Sequence, residues 1–206
     1  MVDKQNVRGN VYKLPEYLEP PQVDILIRYA ADASMVSANL LLTMWRAGLR
    51  VSEACALNAN DLKFEFKKGE TQKGAQIHVR GGKGDRDRYV PAHPELQDAL
   101  SSHLRYLKIR GNNPVFIGPR AGQRISRITG YQYVQGAYAR AMRDGALPHG
   151  LKITPHVFRH SAARHWLTQG VPIHVVSLWL GHAQLKTTLI YLQLATDNGN
   201  LMEEVA

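Results

Sequence analysis

Cysteine is almost absent from this sequence, and no hydrophobic run is long. Cys55 is the only cysteine among 206 residues, which excludes an internal disulfide framework and indicates a reducing compartment. Because Cys55 stands in an apolar stretch, we interpret it as a small core residue. The longest apolar run, residues 38–45, is too short to span a bilayer and is followed directly by Arg46. The polar residues 1–10 carry both charge signs, unlike a secretory signal. We therefore expect a cytoplasmic protein with no membrane partner.

Acidic residues are also in the minority. Lys and Arg number 26 against 17 Asp and Glu, so the formal net charge is +9. This excess suits a polyanionic partner, although a basic protein need not bind one. The basic residues also concentrate in two short stretches, an arrangement that suits phosphate contacts. The first contains Arg80, Lys83, Arg86 and Arg88, and the second contains Arg120, Arg124 and Arg127. Charge and placement together favour a partner that carries phosphates.

The chain shows no repeat, low-complexity run or linker that would divide it, so we read it as one domain. A helix is predicted from Pro20, and a second should end near Gly48, so that Arg50 starts the next one. Further helices are predicted at about 94–109, 129–143, 155–169 and 172–180, with a short one carrying Tyr191. Between them, residues 62–91 alternate in short runs around glycines, which predicts a three-stranded meander. The predicted fold class is mainly α with a small three-stranded antiparallel sheet (α+β).

The histidines of one predicted helix raise the possibility of a metal site, because His156 and His160 are four residues apart and His165 follows. A zinc hydrolase of the two-histidine helix type would carry glutamate at the second position of that pair, where this chain has Val157. No acidic cluster lies near the basic motifs to bind Mg²⁺. We therefore expect no metal and no cofactor, and a metal-dependent nuclease is disfavoured.

Six residues, taken in sequence order, provide the groups that a phosphodiester reaction needs. Such a reaction requires cations for its charge, a proton for its leaving oxygen and an aligned nucleophile. The six are Arg50 in Ala-Gly-Leu-Arg-Val-Ser-Glu, Lys83 in Gly-Gly-Lys-Gly, His156 and Arg159 in Pro-His-Val-Phe-Arg-His, His182 in Leu-Gly-His, and Tyr191. Each motif alone also fits an ordinary surface or core residue. The ordered set, which spans positions 47–191, resembles the active site of the tyrosine recombinases, the phage-integrase family of DNA strand-exchange enzymes.

The resemblance implies a site-specific recombinase that cleaves and rejoins double-stranded DNA through a 3′-phosphotyrosyl intermediate. The roles that it implies are phosphate binding by Arg50, Arg159 and His182, proton transfer at the tyrosine assisted by His156, and nucleophilic attack by Tyr191. The alternative is a catalytically silent DNA-binding module of the same fold. The sequence does not favour any one of integration, excision, inversion or resolution over the others.

Lys83 and two neighbours of these residues, Glu53 and His160, each have a separate interpretation. Lys83, on a glycine-rich tip among other cations, can protonate the leaving 5′ oxygen, and Arg86 is the rival for that role. Glu53 shares a helical face with Arg50 and could orient it, although a surface ion pair fits the spacing nearly as well. His160 is interpreted as structural, because it cannot share the face of both its neighbours.

Domain organisation and assembly are also inferred from the resemblance. Many relatives carry a second DNA clamp before the catalytic domain, whereas Arg50 comes early here. We expect a single catalytic domain over residues 1–206 without an N-terminal core-binding domain, as a fragment or as a naturally short recombinase. The apolar Leu201, Met202 and Val205 follow a polar stretch. The resemblance favours a tail at 198–206 that docks on a neighbouring protomer, with a frayed tail as the alternative. The expected assembly is a homo-oligomer, a tetramer of two dimers on nucleoid DNA.

Overall fold

Seven α-helices and one three-stranded sheet make up the fold within the described residues. The computed structural model describes residues 16–64, 74–81, 87–118, 122–182 and 187–191. The helices are α1 (Pro20–Ala31), α2 (Met35–Arg46), α3 (Val51–Ala56), α4 (Pro94–Tyr106), α5 (Arg127–Arg143), α6 (Pro155–Thr168) and α7 (Ile173–Leu180), and residues 187–191 are also helical. The strands are β1 (Leu62–Lys63), β2 (Gln76–Val79) and β3 (Arg88–Pro91). The predicted fold class is confirmed. In the same ranges, no helix is both long and apolar enough to cross a membrane.

Local sequence explains where several helices begin and end. Prolines occupy the first turn of α1, where a missing N–H costs no hydrogen bond. The side chains of Ser34 and Ser126 cap α2 and α5 by accepting hydrogen bonds from free backbone N–H groups. Gly181 ends α7 in the left-handed conformation, with φ at 64°, which glycine adopts without strain. The predicted helix positions are therefore confirmed to within a few residues.

Helix α2 is the centre of the core. It is buried along most of its length and contacts α1, α3, α4, α5 and α6. Trp45, Phe116 and Phe158 are among the largest fully buried side chains. Cys55 is 4% exposed, and burial raises the pKa of its thiol to about 11, which confirms the interpretation of a neutral core residue. A second, smaller cluster forms where Ala163, Val176, Leu180 and Tyr191 meet.

The sheet is the predicted meander, with strand order β1-β2-β3 and antiparallel pairing throughout. Ile77 pairs with both Leu62 and Val90, and Ile77, Val79 and Val90 are buried. The chain leaves β2 at Val79 and returns in β3 at Arg88. Lys83 therefore belongs to the connection between two paired strands, and residues 82–86 lie outside the described residues.

Candidate active site

Arg50 is the residue immediately before α3, as the sequence predicts. Its backbone N–H donates to Glu53 Oε2 at 2.8 Å, and its Nη1 donates to Glu53 Oε1 at 2.9 Å. The Arg50 side chain is 28% exposed, whereas that of Glu53 is only 9% exposed. Glu53 therefore orients Arg50 from inside the protein, which excludes the ordinary surface ion pair. The Arg50 side chain nevertheless remains partly exposed to solvent.

Glu53 also contacts two further arginines. Arg88 donates from Nη1 and Nη2 to the two carboxylate oxygens, and Arg159 Nη1 lies 3.8 Å from Oε2. Burial raises the pKa of the Glu53 carboxyl, but the hydrogen bonds and charge of Arg88, the Arg50 N–H and the charge of Arg159 together lower it below its ordinary value. The carboxylate is therefore ionised at neutral pH, and it fixes three cations around one point.

Arg88 corrects the expectation that the basic stretch at 80–88 contacts phosphates as a group. Its side chain is 7% exposed, and its Nε donates to the carbonyl of Trp179 in α7 at 2.8 Å. Hydrogen bonds to the buried carboxylate of Glu53 and to this carbonyl hold the Arg88 side chain in the interior. Arg88 and Val90 lie on the same face of β3, and Val90 is buried. That alternation was the sequence signal that could have placed Arg88 in the interior.

Two other basic residues, Arg80 and Arg124, are exposed at the surface but hydrogen-bond to the fold. Arg80 donates to Asp61 Oδ2 at 2.8 Å. Arg124 donates to the carbonyls of Cys55 and Leu57 at 2.8 and 3.0 Å, and so satisfies backbone acceptors at the end of α3. These two arginines therefore also support the fold, while Lys83, Arg86 and Arg120 lie outside the described residues.

Arg159 projects from the first turns of α6 into the interior and is 3% exposed. Its Nη1 donates to the Gly48 carbonyl at 2.8 Å, and its Nη2 donates to the Leu180 carbonyl. Burial, then the charge of Arg50, lowers its pKa to about 10, so the guanidinium stays charged at neutral pH. Gly48 has φ of 59°, and a Cβ there would lie 2.7 Å from the Trp166 ring. The glycine before Arg50 is therefore required by both conformation and space.

His182 and Tyr191 approach each other within the electrostatic influence of Arg159. The two rings are stacked with centroids 6.1 Å apart, and His182 Nδ1 lies 2.8 Å from Thr188 Oγ1. Burial, followed by the charges of Arg159 and Arg50, lowers the pKa of His182 to about 4. Tyr191 is 5% exposed. Burial raises its pKa, and the charges of Arg159 and Arg50 oppose that rise. At neutral pH the histidine is neutral and the phenol is protonated.

Two of the three histidines of α6, His156 and His160, lie at this site, whereas the sequence interpretation assigned only His156 to it. His156 is exposed on the first turn, and its pKa is lowered by burial and by the charges of Arg159 and Arg50. His160, interpreted as structural, has its Nδ1 2.7 Å from the Tyr191 hydroxyl oxygen. Residues four apart share a helix face, and the two imidazoles stack with centroids 6.1 Å apart. The spacing considered for a metal site was therefore the signal that His160 belongs to this site.

Five of the six predicted residues thus meet around one point, namely Arg50, His156, Arg159, His182 and Tyr191. Lys83 lies outside the described residues. Across the described part of the chain, no group of three or more His, Cys, Asp or Glu residues could bind a metal ion. The arrangement offers two guanidinium groups and neutral imidazoles beside a protonated phenol, a combination suited to binding a phosphate and attacking it.

Comparison with known proteins agrees with this geometry. Residues 16–198 match the model of the phage integrase family. The chain is 32% identical over 208 residues to the tyrosine recombinase XerA of Pyrococcus furiosus, an alignment that covers 93% of this chain and 64% of the relative. This chain therefore belongs to the phage integrase family. It spans about two thirds of the length of that relative.

Solved structures give the same fold. The crystal structure of XerA recombinase superposes with a TM-score of 0.71 and 27% identity, over 91% of this chain and 66% of that one. The XerH site-specific recombinase, solved bound to a palindromic difH substrate in a post-cleavage complex, superposes with a TM-score of 0.68, over 93% of this chain and 54% of that one. Its identity is 21%, so this second likeness concerns the fold alone.

Proposed function

We propose that this chain is the catalytic domain of a site-specific recombinase that cleaves and rejoins double-stranded DNA through a 3′-phosphotyrosyl intermediate. The observation that supports it best is the placement of the Tyr191 phenol, which contacts a histidine and lies within the electrostatic reach of both Arg50 and Arg159. Two fixed cations beside a protonated phenol are what an in-line attack on a phosphodiester requires.

Arg50, Arg159 and His182 bind the scissile phosphate in this proposal. Arg50 is open to solvent and already oriented by Glu53, so its planar fork of donors can meet two non-bridging oxygens. Arg159 uses its two η nitrogens on backbone carbonyls, and some of its five N–H donors remain for the phosphate. When His182 Nδ1 accepts from the Thr188 hydroxyl, the neutral ring carries its proton on Nε2 and can donate it to a phosphate oxygen.

Proton movements involve His156 and Lys83. His156, exposed on the first turn of α6 beside His160, assists proton transfer on the tyrosine side of the phosphate. Lys83, in the connection between β2 and β3, protonates the leaving 5′ oxygen. The covalent bond to Tyr191 stores the energy of the diester, so that religation needs neither ATP nor a metal.

The proposed partner is double-stranded DNA in the cytoplasm, bound by a homo-oligomer that forms a tetramer of two dimers. Strand exchange joins two DNA duplexes, and two-fold protein symmetry suits paired half-sites. The 198–206 tail is proposed to dock on a neighbouring protomer.

A nicked suicide DNA substrate tests the function directly. The wild-type protein should form a covalent protein–DNA complex that survives denaturing electrophoresis, and it should do so in EDTA. Tyr191→Phe should lose that complex and keep DNA binding close to wild type, because only the nucleophile is removed. Tyr131→Phe, at an exposed tyrosine, is the matched control and should retain it. DNA binding by the wild-type protein without covalent complex would instead identify a catalytically silent module.

A further inference from the structure

The hydroxyl of Tyr191 has one hydrogen-bond partner among the described residues, and that partner is His160. The distance from Nδ1 to Oη is 2.7 Å, and the two ring centroids lie 5.4 Å apart. The contact joins α6 to the helical residues 187–191, across 31 positions of sequence. Tyr191 is buried in the small cluster with Ala163, Val176 and Leu180, so its ring cannot move freely away from the histidine.

Both groups are in the protonation state that a proton transfer needs. Burial, then the charges of His156 and Arg159, lowers the pKa of His160 to about 4, so its ring is neutral at neutral pH. The phenol of Tyr191 is protonated, because burial raises its pKa. With the ring proton on Nε2, the phenol O–H donates to Nδ1 and leaves an oxygen lone pair free for attack.

His156 is less well placed for the same task. It lies on the exposed side of α6, stacked on His160 rather than hydrogen-bonded to the phenol. A general base must be within hydrogen-bond reach of the proton that it removes. His160 meets that condition in the structure.

We propose that His160 is a catalytic residue, the general base that receives the proton of Tyr191 during strand cleavage; this inference rests on the proposed function. As the Tyr191 Oη–P bond forms, the phenol proton moves to His160 Nδ1, and the P–O5′ bond breaks. The leaving 5′ oxygen takes its proton from the general acid, for which Lys83 is proposed. In religation the 5′ hydroxyl attacks phosphorus, and His160 returns its proton to the departing Tyr191 oxygen.

The first test compares His160→Asn with His174→Asn. The asparagine amide oxygen can accept the phenol hydrogen bond but cannot take the proton, so it separates basicity from positioning. His174 is an exposed histidine of α7 and is the matched control. His160→Asn should bind DNA like the wild type and cleave the suicide substrate at least about a hundredfold more slowly in single turnover. His174→Asn should cleave at the wild-type rate.

The second test replaces Tyr191 with a ring-fluorinated tyrosine, whose phenol has a lowered pKa and ionises without a base. The rate lost in His160→Asn should then be largely restored at a pH above the pKa of the fluorinated phenol. A loss that persists with the fluorinated tyrosine would reduce His160 to a positioning residue and overturn the proposal. Restoration in His156→Asn but not in His160→Asn would assign the base to His156 and also overturn it.

Thermal melting accompanies each variant, and His160→Gln, which offers a second amide acceptor, replaces His160→Asn if that protein does not fold. A wild-type protein that forms no covalent complex would overturn the proposed function itself. A wild-type protein that cleaves, together with a folded His160 variant that cleaves equally fast, would overturn only the role of His160.

Discussion

Arg88 bonds both carboxylate oxygens of Glu53, with Nη1–Oε1 and Nη2–Oε2 distances of 3.0 and 2.8 Å. The side chains are 7% and 9% exposed, so the pair is buried. Glu53 in turn orients Arg50. Strand β3 therefore reaches the proposed phosphate site through one buried ion pair, and the sheet contributes to the site without contacting a phosphate through Arg88.

Arg88→Met should destabilise the protein by about 3 kcal/mol, because it leaves a buried carboxylate without its bidentate partner. The free energy of unfolding in urea measures this loss. Arg143→Ala removes an arginine from the exposed pair with Asp144, whose side chains are 71% and 42% exposed. That control should cost less than about 1 kcal/mol. Equal, small losses in both variants would show that the buried pair contributes little.

Lys83→Ala should cleave ordinary DNA very slowly, because the leaving 5′ oxygen then lacks its proposed acid. The same variant should recover on a substrate with sulfur at the bridging 5′ position, since a thiolate leaves without a proton. Arg50→Ala is the control and should gain nothing from the sulfur, because the proposed role of Arg50 is charge stabilisation. Equal failure of Lys83→Ala on both substrates would reassign the acid, with Arg86 as the first candidate.

Stability should fall as the pH is lowered from 6.5 towards 4. His160 and His182 have pKa values of about 4 in the folded protein, against an ordinary value of 6.5. The unfolded chain therefore binds more protons in this window, so the contribution is complete above pH 6.5 and is lost as pH falls. The pKa values of His93, His103, His156 and His165 are lowered as well.

Urea unfolding at pH 7 and pH 5 measures this dependence. After allowance for solvent screening, His160 and His182 together should account for roughly 1–2 kcal/mol of the difference. Carboxylates with lowered pKa, such as Glu53, titrate below about pH 4.5, so they affect stability only below the pH range of this comparison. His160→Asn should show a smaller decrease than the wild type between the two pH values. An identical decrease would contradict the pKa assigned to this histidine.

Deleting residues 198–206 should leave a protein that binds a single half-site but loses cooperative filling of a paired site and recombination. The reason is that the tail's apolar residues, Leu201, Met202 and Val205, are proposed to dock on a neighbouring protomer. Replacing those three side chains with serine keeps the length of the tail and should give the same loss. Electrophoretic mobility shifts on single and paired sites measure cooperativity. Unchanged cooperativity in both variants would mean a frayed tail.

The sequence predicted those features that depend on local pattern. Helix positions, the meander and the place of Arg50 before α3 follow from periodicity, glycines and prolines, each of which acts within a few residues. The inward role of Arg88 depends on Glu53, 35 positions away. The contact of His160 with Tyr191 likewise requires α6 and residues 187–191 to be packed together. Such partners become visible only when the tertiary fold brings distant segments into contact.

Arg159 donates to the carbonyls of Gly48 and Leu180, which belong to segments far apart in the chain. The same guanidinium is the proposed phosphate ligand, so the anion site exists only after the end of α7 has docked beside the turn that follows α2. A partly folded chain, such as one still emerging from the ribosome, lacks that docking. It would therefore lack the proposed anion site, so that the proposed DNA cleavage begins only when folding is complete.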